Sequence, residues 1–161
     1  MNLLIYNFHD DPSELWTVLL DGSDRENTDV LDDIEASGGG DGDINFCVLK
    51  GIKEGDWFIT EYNDEHIDAY LSESPDALLK KAIQSAKEQW SSGEDYLYFE
   101  DFLGSEYSRE EFASPEEAGQ AAFDNFVNSD ADKDSGLGID LIQFHKEDHR
   151  SASDFIKEHE R

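Results

Sequence analysis

The sequence predicts a single α+β domain, in which a mainly antiparallel sheet has two main helices packed on it. Aromatic and β-branched runs at residues 57–62 and 67–71 flank the turn-forming cluster Asn63-Asp64-Glu65, which is the pattern of a β-hairpin. Ser74-Pro75-Asp76 then supplies a capping hydroxyl, a proline suited to the first helical position and an acid at the positive end of the helix dipole. The apolar residues of segment 78–90 form one stripe at helical spacing, so we expect this helix to pack on the sheet.

The size and composition of the chain favour one folded domain over residues 1–161. The chain is 37% hydrophobic and 12% aromatic, which is enough for a packed core, and it is too short for two comfortable domains. Its three Trp, six Tyr and ten Phe lie mostly in periodic apolar runs, which argues against intrinsic disorder. We therefore expect an acidic but folded protein.

The first third of the chain predicts two strands and a short helix. Residues 3–8 are apolar and β-prone, and residues 15–20 are so again after a turn cluster. A helix from Ser13 is the alternative for the second segment, but its β-branched and aromatic residues favour a strand. A short helix is then predicted to begin at Thr28 or Asp29.

The remaining elements follow the central hairpin or precede it directly. Residues 44–49 are expected to form a strand that makes a three-stranded meander with the hairpin. Residues 96–103 alternate aromatic and mixed positions, which is typical of a strand or a long aromatic loop. Ser114-Pro115-Glu116-Glu117 is a capping box that opens the second main helix. Residues 137–144 predict a last strand before a short terminal helix.

A calcium site is one candidate that the motifs offer. Asp130, Asp132 and Asp134 have the spacing of the first half of an EF-hand loop, whose carboxylates converge on one ion. Position six of such a loop is normally glycine and here is Ser135, and position twelve is normally a bidentate Glu and here is Leu141. A solvated acidic turn is therefore the favoured interpretation, and a metal site at the three aspartates is the alternative.

No motif in the sequence predicts catalysis. His145 and His149 are four residues apart, as in zinc-binding helices, but Lys146 stands where the HExxH motif needs Glu. The glycine-rich segment 38–43 lacks the spacing and the lysine of a phosphate-binding loop. The single Cys47 lies in an apolar run, where a small core residue is the expected role. We therefore expect a protein that is not an enzyme and needs no cofactor.

The cysteine content and the N-terminus predict the compartment. One cysteine allows no intramolecular disulfide, which suits the reducing cytoplasm. The N-terminal run Met1-Asn2-Leu3-Leu4-Ile5 has no basic region and is interrupted by Asn7 and His9. It therefore predicts neither a secretory signal nor a transmembrane span. We expect a cytoplasmic protein without membrane contact.

Net charge is the most informative property of the sequence. Forty acidic residues against twelve basic ones give a formal charge of −28. Residues 1–49 contain twelve acids and one base, Arg25, and residues 94–132 contain twelve acids and one base, Arg109. Repulsion among so many carboxylates costs stability, which a positively charged partner or a high-salt solvent would offset. The same charge repels phosphate, so direct nucleic-acid binding is not expected.

The charge pattern predicts an acidic inhibitor that blocks a basic protein, such as a nuclease toxin or a DNA-binding protein. In composition and size the chain is similar to toxin-neutralising immunity proteins and to phage or plasmid DNA mimics, without a motif that links it to one family. Two alternatives stay open. A halophile-adapted acidic domain would have no such partner and would unfold at low salt, whereas a calcium-dependent binding module would melt at a higher temperature when calcium is added.

The segment from Glu94 to Glu117 is the predicted partner-binding site. Carboxylates surround three tyrosines there, so the acids can steer a basic target and the tyrosines can anchor it. The predicted site consists of Glu94, Asp95, Tyr96, Tyr98, Glu100, Asp101, Glu106, Tyr107, Glu110, Glu111, Glu116 and Glu117. The alternative is that the tyrosines are core residues of a strand whose edge the acids solvate. The binding face would then lie in the N-terminal third, around Asp29, Asp32, Asp33 and Glu35.

Overall fold

The structure is a computed structural model that describes residues 1–38, 44–127 and 138–159. In chain order its helices and strands are β1 (Leu3–Phe8), β2 (Asp11–Leu19), α1 (Asp24–Gly38), β3 (Ile44–Leu49), β4 (Trp57–Tyr62), β5 (Ile67–Ser72), α2 (Pro75–Ser91), β6 (Tyr96–Phe99), β7 (Ser105–Ser108), α3 (Pro115–Val127), β8 (Gly138–Gln143), β9 (Arg150–Ser151) and α4 (Ala152–His159). The predicted α+β class with mainly antiparallel pairing is confirmed.

The chain divides into two compact units. Unit 1 comprises Met1–Ser72 and Asp130–Arg161, and unit 2 comprises Glu73–Ser129. Each unit has its own sheet and helices in the described residues. The assignment of residues 1–161 to a single domain stays a prediction.

Unit 1 has three layers, with a four-stranded sheet of order β3-β1-β2-β9 in the middle. One face of this sheet packs on a three-stranded sheet of order β5-β4-β8, through a core that contains Ile5 and Phe58. The opposite face is covered by α1 and α4, through a second core that contains Leu4, Val30 and Phe155. Residues 3–6 of β1 are therefore buried on both faces, which explains why these four residues are all apolar or aromatic.

Strand β3 does not extend the central hairpin, so the predicted meander over residues 44–71 is wrong. β3 pairs with β1 along its whole length, while β4 and β5 form the predicted hairpin and gain β8 as their third strand. The segment after β3 is held beside the N-terminus, because Ile52 N–H donates to the Met1 carbonyl at 2.8 Å and Ile52 is fully buried. Residues 50–56 consequently pass from one sheet to the other.

Helix α1 begins at Asp24, earlier than the predicted start at Thr28 or Asp29. The Ser23 hydroxyl accepts the Glu26 N–H at 3.2 Å, and the Glu26 carboxylate accepts the Ser23 N–H at 3.1 Å. This reciprocal capping box satisfies two backbone donors at the helix start. Hydrogen bonds from Ser153 and then from Ser23 also hold the pKa of Glu26 below its ordinary value.

Unit 2 combines α2 and α3 with the two-stranded sheet β6-β7, which we call the tyrosine hairpin. Both main helices begin where predicted. The Ser74 hydroxyl accepts the Ala77 N–H at 3.3 Å, and the Ser114 hydroxyl accepts the Glu117 N–H at 3.3 Å. The two helices pack on each other, and α2 packs on β6, which is not a strand of the sheet on which the sequence predicted these helices to pack.

The tyrosine hairpin contains a strand that the sequence did not reveal. β6 ends at Phe99, and the chain turns back through Leu103 and Gly104, whose φ angles of 63° and 62° are positive. β7 then pairs with β6 from Tyr96↔Ser108 to Phe99↔Ser105. The segment 96–103, for which a strand or a long loop was predicted, is therefore the strand β6 followed by a turn. The short, polar sequence of β7 carries no strand signal.

Candidate functional site

Two of the predicted site tyrosines lie on the outward face of the tyrosine hairpin. Along β6, Leu97 and Phe99 are buried, whereas Tyr96 is 62% exposed and Tyr98 is 50% exposed. Successive side chains of a strand point to opposite faces, so the two tyrosines share one face, with Glu106 of β7 opposite Tyr98. Both tyrosine side chains are therefore open to solvent.

The third predicted tyrosine, Tyr107, lies on the inward face. It pairs with Leu97 across the hairpin, and its ring meets the rings of Phe99 and Phe112 edge to face, with centroids 6.1 and 5.5 Å apart. Aromatic pairs of this geometry stabilise cores. Tyr107 therefore matches the alternative interpretation, in which a tyrosine of this segment packs inside the fold.

The predicted carboxylates are all exposed, but three of them have structural partners. They are Glu94, Asp95, Glu100, Asp101, Glu106, Glu110, Glu111, Glu116 and Glu117. Glu111 accepts the Ser108 N–H at 3.2 Å, Glu117 accepts the Ala113 N–H at 2.9 Å, and Glu116 lies 3.7 Å from the Lys87 ammonium. The other six form no ion pair with a lysine or arginine of the described residues, so their charge is available to a partner.

The edge of β6 beside the exposed tyrosines is closed by a side chain. The Gln89 amide accepts the Tyr98 N–H at 2.7 Å and donates to the Tyr98 carbonyl at 2.8 Å. It thereby occupies the backbone groups through which an exposed strand edge would pair with another chain. A cleft of ≈ 370 Å³ lies beside it, and Lys81, Glu100 and Asp101 are among its lining residues. The recess next to Tyr98 is thus polar and net negative.

Arg109 has a structural role at the site. The sequence analysis identified it only as the one base of segment 94–132. Its guanidinium lies over the Trp90 ring, 4.3 Å from the centroid, and donates to the Trp90 carbonyl at 3.0 Å. Its backbone N–H donates to the Asp95 carbonyl at 2.8 Å. A cation is favoured at the C-terminal end of α2, where the helix dipole is negative. The one base of segment 94–132 therefore joins the hairpin to α2 and leaves the outward face acidic.

The two histidines that raised a zinc hypothesis contact different residues. His145 Nδ1 lies 2.8 Å from the Glu54 carboxylate, and His149 Nδ1 lies 2.6 Å from the Thr17 hydroxyl. The His149 ring also stacks on Phe144, with centroids 5.2 Å apart. The two side chains do not converge on one point, so they form no pair of metal ligands.

In the described ranges 1–38, 44–127 and 138–159, no group of three or more His, Cys, Asp or Glu side chains could hold a metal ion. The calcium candidate Asp130, Asp132 and Asp134 falls in segment 128–137, outside the described residues. Within the same ranges, no helix has both the length and the apolar character that crossing a bilayer demands.

The outward face of the tyrosine hairpin combines two properties of protein-binding surfaces. It presents exposed aromatic side chains, a residue class enriched at interface centres, and carboxylates without an ion pair among the described residues, and such charges direct the encounter of partners. No family model, no curated protein and no solved structure matches the chain. A function for this protein must therefore be inferred from the side chains of this face.

Proposed function

We propose that the protein is an acidic inhibitor that binds a basic, nucleic-acid-acting protein through the outward face of the tyrosine hairpin. The observation that carries this proposal is the pair Tyr96 and Tyr98, which are 62% and 50% exposed among exposed carboxylates. Tyrosine is among the residue types that supply most of the binding energy at protein interfaces. The two rings would form the anchor of the interface.

The carboxylates around the two rings would guide the partner. A protein that binds nucleic acid presents a basic groove to phosphates, and the exposed acids offer that groove a similar pattern of negative charge. With a net charge of −28, the protein would attract a basic partner over distances of about the Debye length, roughly 8 Å at physiological salt. The association rate should therefore fall steeply as salt is added.

The proposed class is that of toxin-immunity proteins or DNA mimics, acting without catalysis in the cytoplasm. The chain has one cysteine, Cys47, which allows no intramolecular disulfide and suits a reducing compartment. It is a free thiol packed against the first core of unit 1, and burial raises its pKa to about 12. Such a thiol stays protonated and unreactive at neutral pH. Cys47 is therefore suited to a packing role in a protein that has no disulfide.

Capture of a partner tests the proposal. The immobilised protein should capture a basic, nucleic-acid-acting protein from an extract of its own cells at physiological salt, and high salt should release it. A Tyr96→Ala, Tyr98→Ala variant should lose this capture. Tyr70→Ala is the matched control, because Tyr70 is 38% exposed but belongs to β5. Equal capture by the double variant and the control would contradict the proposal.

A charge reversal tests the steering role separately. Glu110→Lys should slow association with the captured partner and reduce its salt dependence, without lowering the melting temperature. Glu111→Lys is unsuitable, because it would also remove the acceptor of the Ser108 N–H. Asp29→Lys and Asp32→Lys in α1 are the controls. If these slow association and Glu110→Lys does not, the binding face lies in the N-terminal third.

The capture experiment also distinguishes the inhibitor proposal from the alternative of a halophile-adapted domain. A halophile domain would capture no partner, and its free energy of unfolding would rise steadily as salt is added into the molar range. That combination of results would replace the inhibitor proposal.

A further inference from the structure

The cleft of ≈ 370 Å³ beside Tyr98 is formed by residues of unit 2. Lys81, Ser85 and Glu88 line it from α2, and the opposite wall comes from β6 and the turn that follows β6. This volume is near the lower limit of pockets that hold small organic ligands, so the cleft suits a single side chain of a partner. The chemistry of that side chain follows from the residues that line the cleft.

Two of the lining carboxylates lie on a tight turn. The Phe102 N–H donates to the Phe99 carbonyl at 3.1 Å, so Glu100 and Asp101 are the central residues of a β-turn. Phe99 and Phe102 anchor the two ends of this turn, since they are only 1% and 4% exposed, whereas Glu100 and Asp101 are exposed. Neither carboxylate forms an ion pair with a lysine or arginine of the described residues. The turn therefore presents two accessible acids at the cleft.

The α2 side of the cleft adds a third acid and one base. Glu88 is exposed and accepts a hydrogen bond from the Gln84 amide at 3.2 Å, and a carboxylate can accept several such bonds at once. The Lys81 ammonium lies 2.6 Å from the Glu73 carboxylate, which offsets the positive charge of Lys81. The cleft is therefore net negative, so it favours a cation over a neutral or anionic group.

The Tyr98 ring forms an aromatic wall of the cleft, and it is supported from behind by the turn. A Cβ atom at Gly104 would lie 3.3 Å from the Tyr98 hydroxyl oxygen and 3.7 and 3.8 Å from two ring carbons, so the ring packs against this glycine. The backbone of Tyr98 is held by the Gln89 amide at 2.7 and 2.8 Å. Half of the Tyr98 surface remains exposed. Part of the freedom of this side chain is thus lost before binding, which lowers the entropic cost of an interface here.

Arginine is the side chain that best matches an exposed aromatic ring beside carboxylates. Its guanidinium is planar, so it can stack on the ring while its N–H groups donate to carboxylate oxygens. The ammonium of lysine is a compact and more strongly hydrated charge, which does not stack. Proteins that act on nucleic acids use arginine to contact phosphates, so this side chain is expected in the basic groove of the partner.

We propose that this cleft takes one arginine side chain of the basic partner. The inference rests on the proposed inhibitor function and names the group of the partner that the protein recognises next to the tyrosine hairpin. The guanidinium stacks on the Tyr98 ring and donates to the carboxylates of Glu100 and Asp101, while the charge of Glu88 adds to the attraction.

Three probes that differ only in the tip of the side chain test the proposal without the partner. They are the N-acetyl, N-methylamide derivatives of arginine, lysine and citrulline, whose tips are a guanidinium, an ammonium and a neutral urea. Each is titrated into the full chain at pH 7.5 and low salt, while the Tyr98 ring signals are followed by NMR.

The arginine derivative should saturate the Tyr98 shifts with a Kd on the order of 1–10 mM. The lysine derivative should bind about fivefold more weakly, and the citrulline derivative should not saturate. No response to the arginine derivative would overturn the proposal. An equal response to the lysine derivative would show only a general attraction of cations to an acidic protein and would overturn it as well.

A matched pair of double variants locates the bound guanidinium. Glu100→Gln with Asp101→Asn should weaken binding of the arginine derivative about tenfold. Glu94→Gln with Asp95→Asn makes the same change in net charge at exposed positions that are not among the described lining residues, and it should bind as the wild type does. Equal affinities of the two double variants would overturn the proposal.

A second matched pair tests the stacking on the ring. Tyr98→Leu should weaken binding of the arginine derivative several-fold, whereas Tyr96→Leu, on the same face of β6 but not among the described lining residues, should not. Should Tyr98→Leu fail to fold, the carboxylate variants decide the matter, because all four of their positions are exposed.

The cleft and the inhibitor function can fail separately. Capture of a basic partner without any response to the arginine derivative would keep the inhibitor proposal and overturn the role of the cleft. A selective response to the arginine derivative without capture of a partner would support the guanidinium site and contradict the inhibitor function.

Discussion

Gly119 of α3 lies against the backbone of Ile83 in α2. A Cβ atom at position 119 would lie 2.6 Å from the Ile83 Cα and 2.7 Å from its nitrogen, closer than real Cβ atoms approach backbone. The crossing of the two helices therefore depends on the absence of a side chain at this position. The neighbouring interface residues Ala82, Ala86 and Ala122 are also small and buried.

Gly119→Ala should destabilise the protein, although alanine is the better helix former. The gain in helix propensity is about 1 kcal/mol, and the overpacking costs about 1–3 kcal/mol or more, because the contact is with backbone. We expect a net loss of about 1–2 kcal/mol in the free energy of unfolding, measured with urea. Gln120→Ala, an exposed change on the next residue, should be neutral or stabilising. Equal stability of the two variants would show that the helices can separate without cost.

Gln89→Glu should loosen the edge of β6. The carboxylate can still accept the Tyr98 N–H, but it cannot donate to the Tyr98 carbonyl and would repel it. We expect a loss of about 1–2 kcal/mol in stability and faster hydrogen exchange at the Tyr98 amide. Gln84→Glu adds the same charge to the same helix at an exposed position and serves as the control. Unchanged exchange at Tyr98 in Gln89→Glu would contradict the proposed edge closure.

Ser23→Ala, Ser74→Ala and Ser114→Ala should each reduce stability by about 1 kcal/mol, because each hydroxyl accepts a backbone N–H at a helix start. Chemical denaturation of the single variants provides the measurement. Ser91→Ala, at the exposed C-terminal end of α2, should have little effect. Neutral results at the three cap positions would mean that water replaces these hydroxyls without loss.

His149 should make the protein less stable in mild acid. Burial lowers its pKa in the folded protein below the ordinary value of 6.5, so the unfolded chain takes up a proton at a higher pH than the folded one. The stability that the neutral His149 ring contributes is fully present above pH 6.5 and is lost as the pH falls below 6.5. Wild type should therefore lose more stability between pH 7.5 and pH 5 than His149→Gln, in unfolding measurements at constant salt.

His9 provides the control of opposite sign. Its hydrogen bond to the Asp64 carbonyl raises its pKa, so its contribution is present in acid and lost as the pH rises. Removing His9 should therefore not reduce the acid sensitivity of the protein. If the free energy of unfolding of the wild type and of His149→Gln falls in parallel between pH 7.5 and pH 5, the assigned role of His149 is wrong.

Direct binding to nucleic acid should be absent. Phosphate repels a chain with a charge of −28, and the predicted site has Arg109 as its one base, which is bonded to Trp90. Mobility-shift measurements with plain duplex DNA at micromolar protein and without added metal should show no complex. A shifted band under these conditions would require a basic surface elsewhere in the chain.

Local signals allowed much of the fold to be predicted. The β4–β5 hairpin follows from its turn cluster, and α2 and α3 follow from their Ser-Pro starts, because each signal acts within a few residues. The pairing of β3 with β1 joins residues some forty positions apart, and no local pattern specifies it. Strand β7 is short and polar, so its pairing to β6 depends on the turn through Leu103 and Gly104.

The same distinction between local signals and long-range pairing applies to the residues of the candidate site. Tyr96 and Tyr98 could be predicted as a surface pair because they alternate with apolar residues in one strand, whereas the inward position of Tyr107 depends on the register across the hairpin. A pocket of ≈ 320 Å³ between the two sheets of unit 1 could not be predicted, because Thr17, Thr60 and His149, which line it, come together only when the sheets pack. Their residue types carry no motif.

The position of unit 2 within the sequence determines the order in which the sheets of unit 1 can form during synthesis. The chain leaves β5 at Ser72 and reaches β8 only at Gly138, although both strands pair with β4. A growing chain therefore carries all of unit 2 before β4 has its second neighbour. Until then one edge of β4 lacks the strand that covers it, and uncovered strand edges are where nascent chains associate wrongly. We therefore expect β4 to keep one uncovered edge throughout the synthesis of residues 73–137.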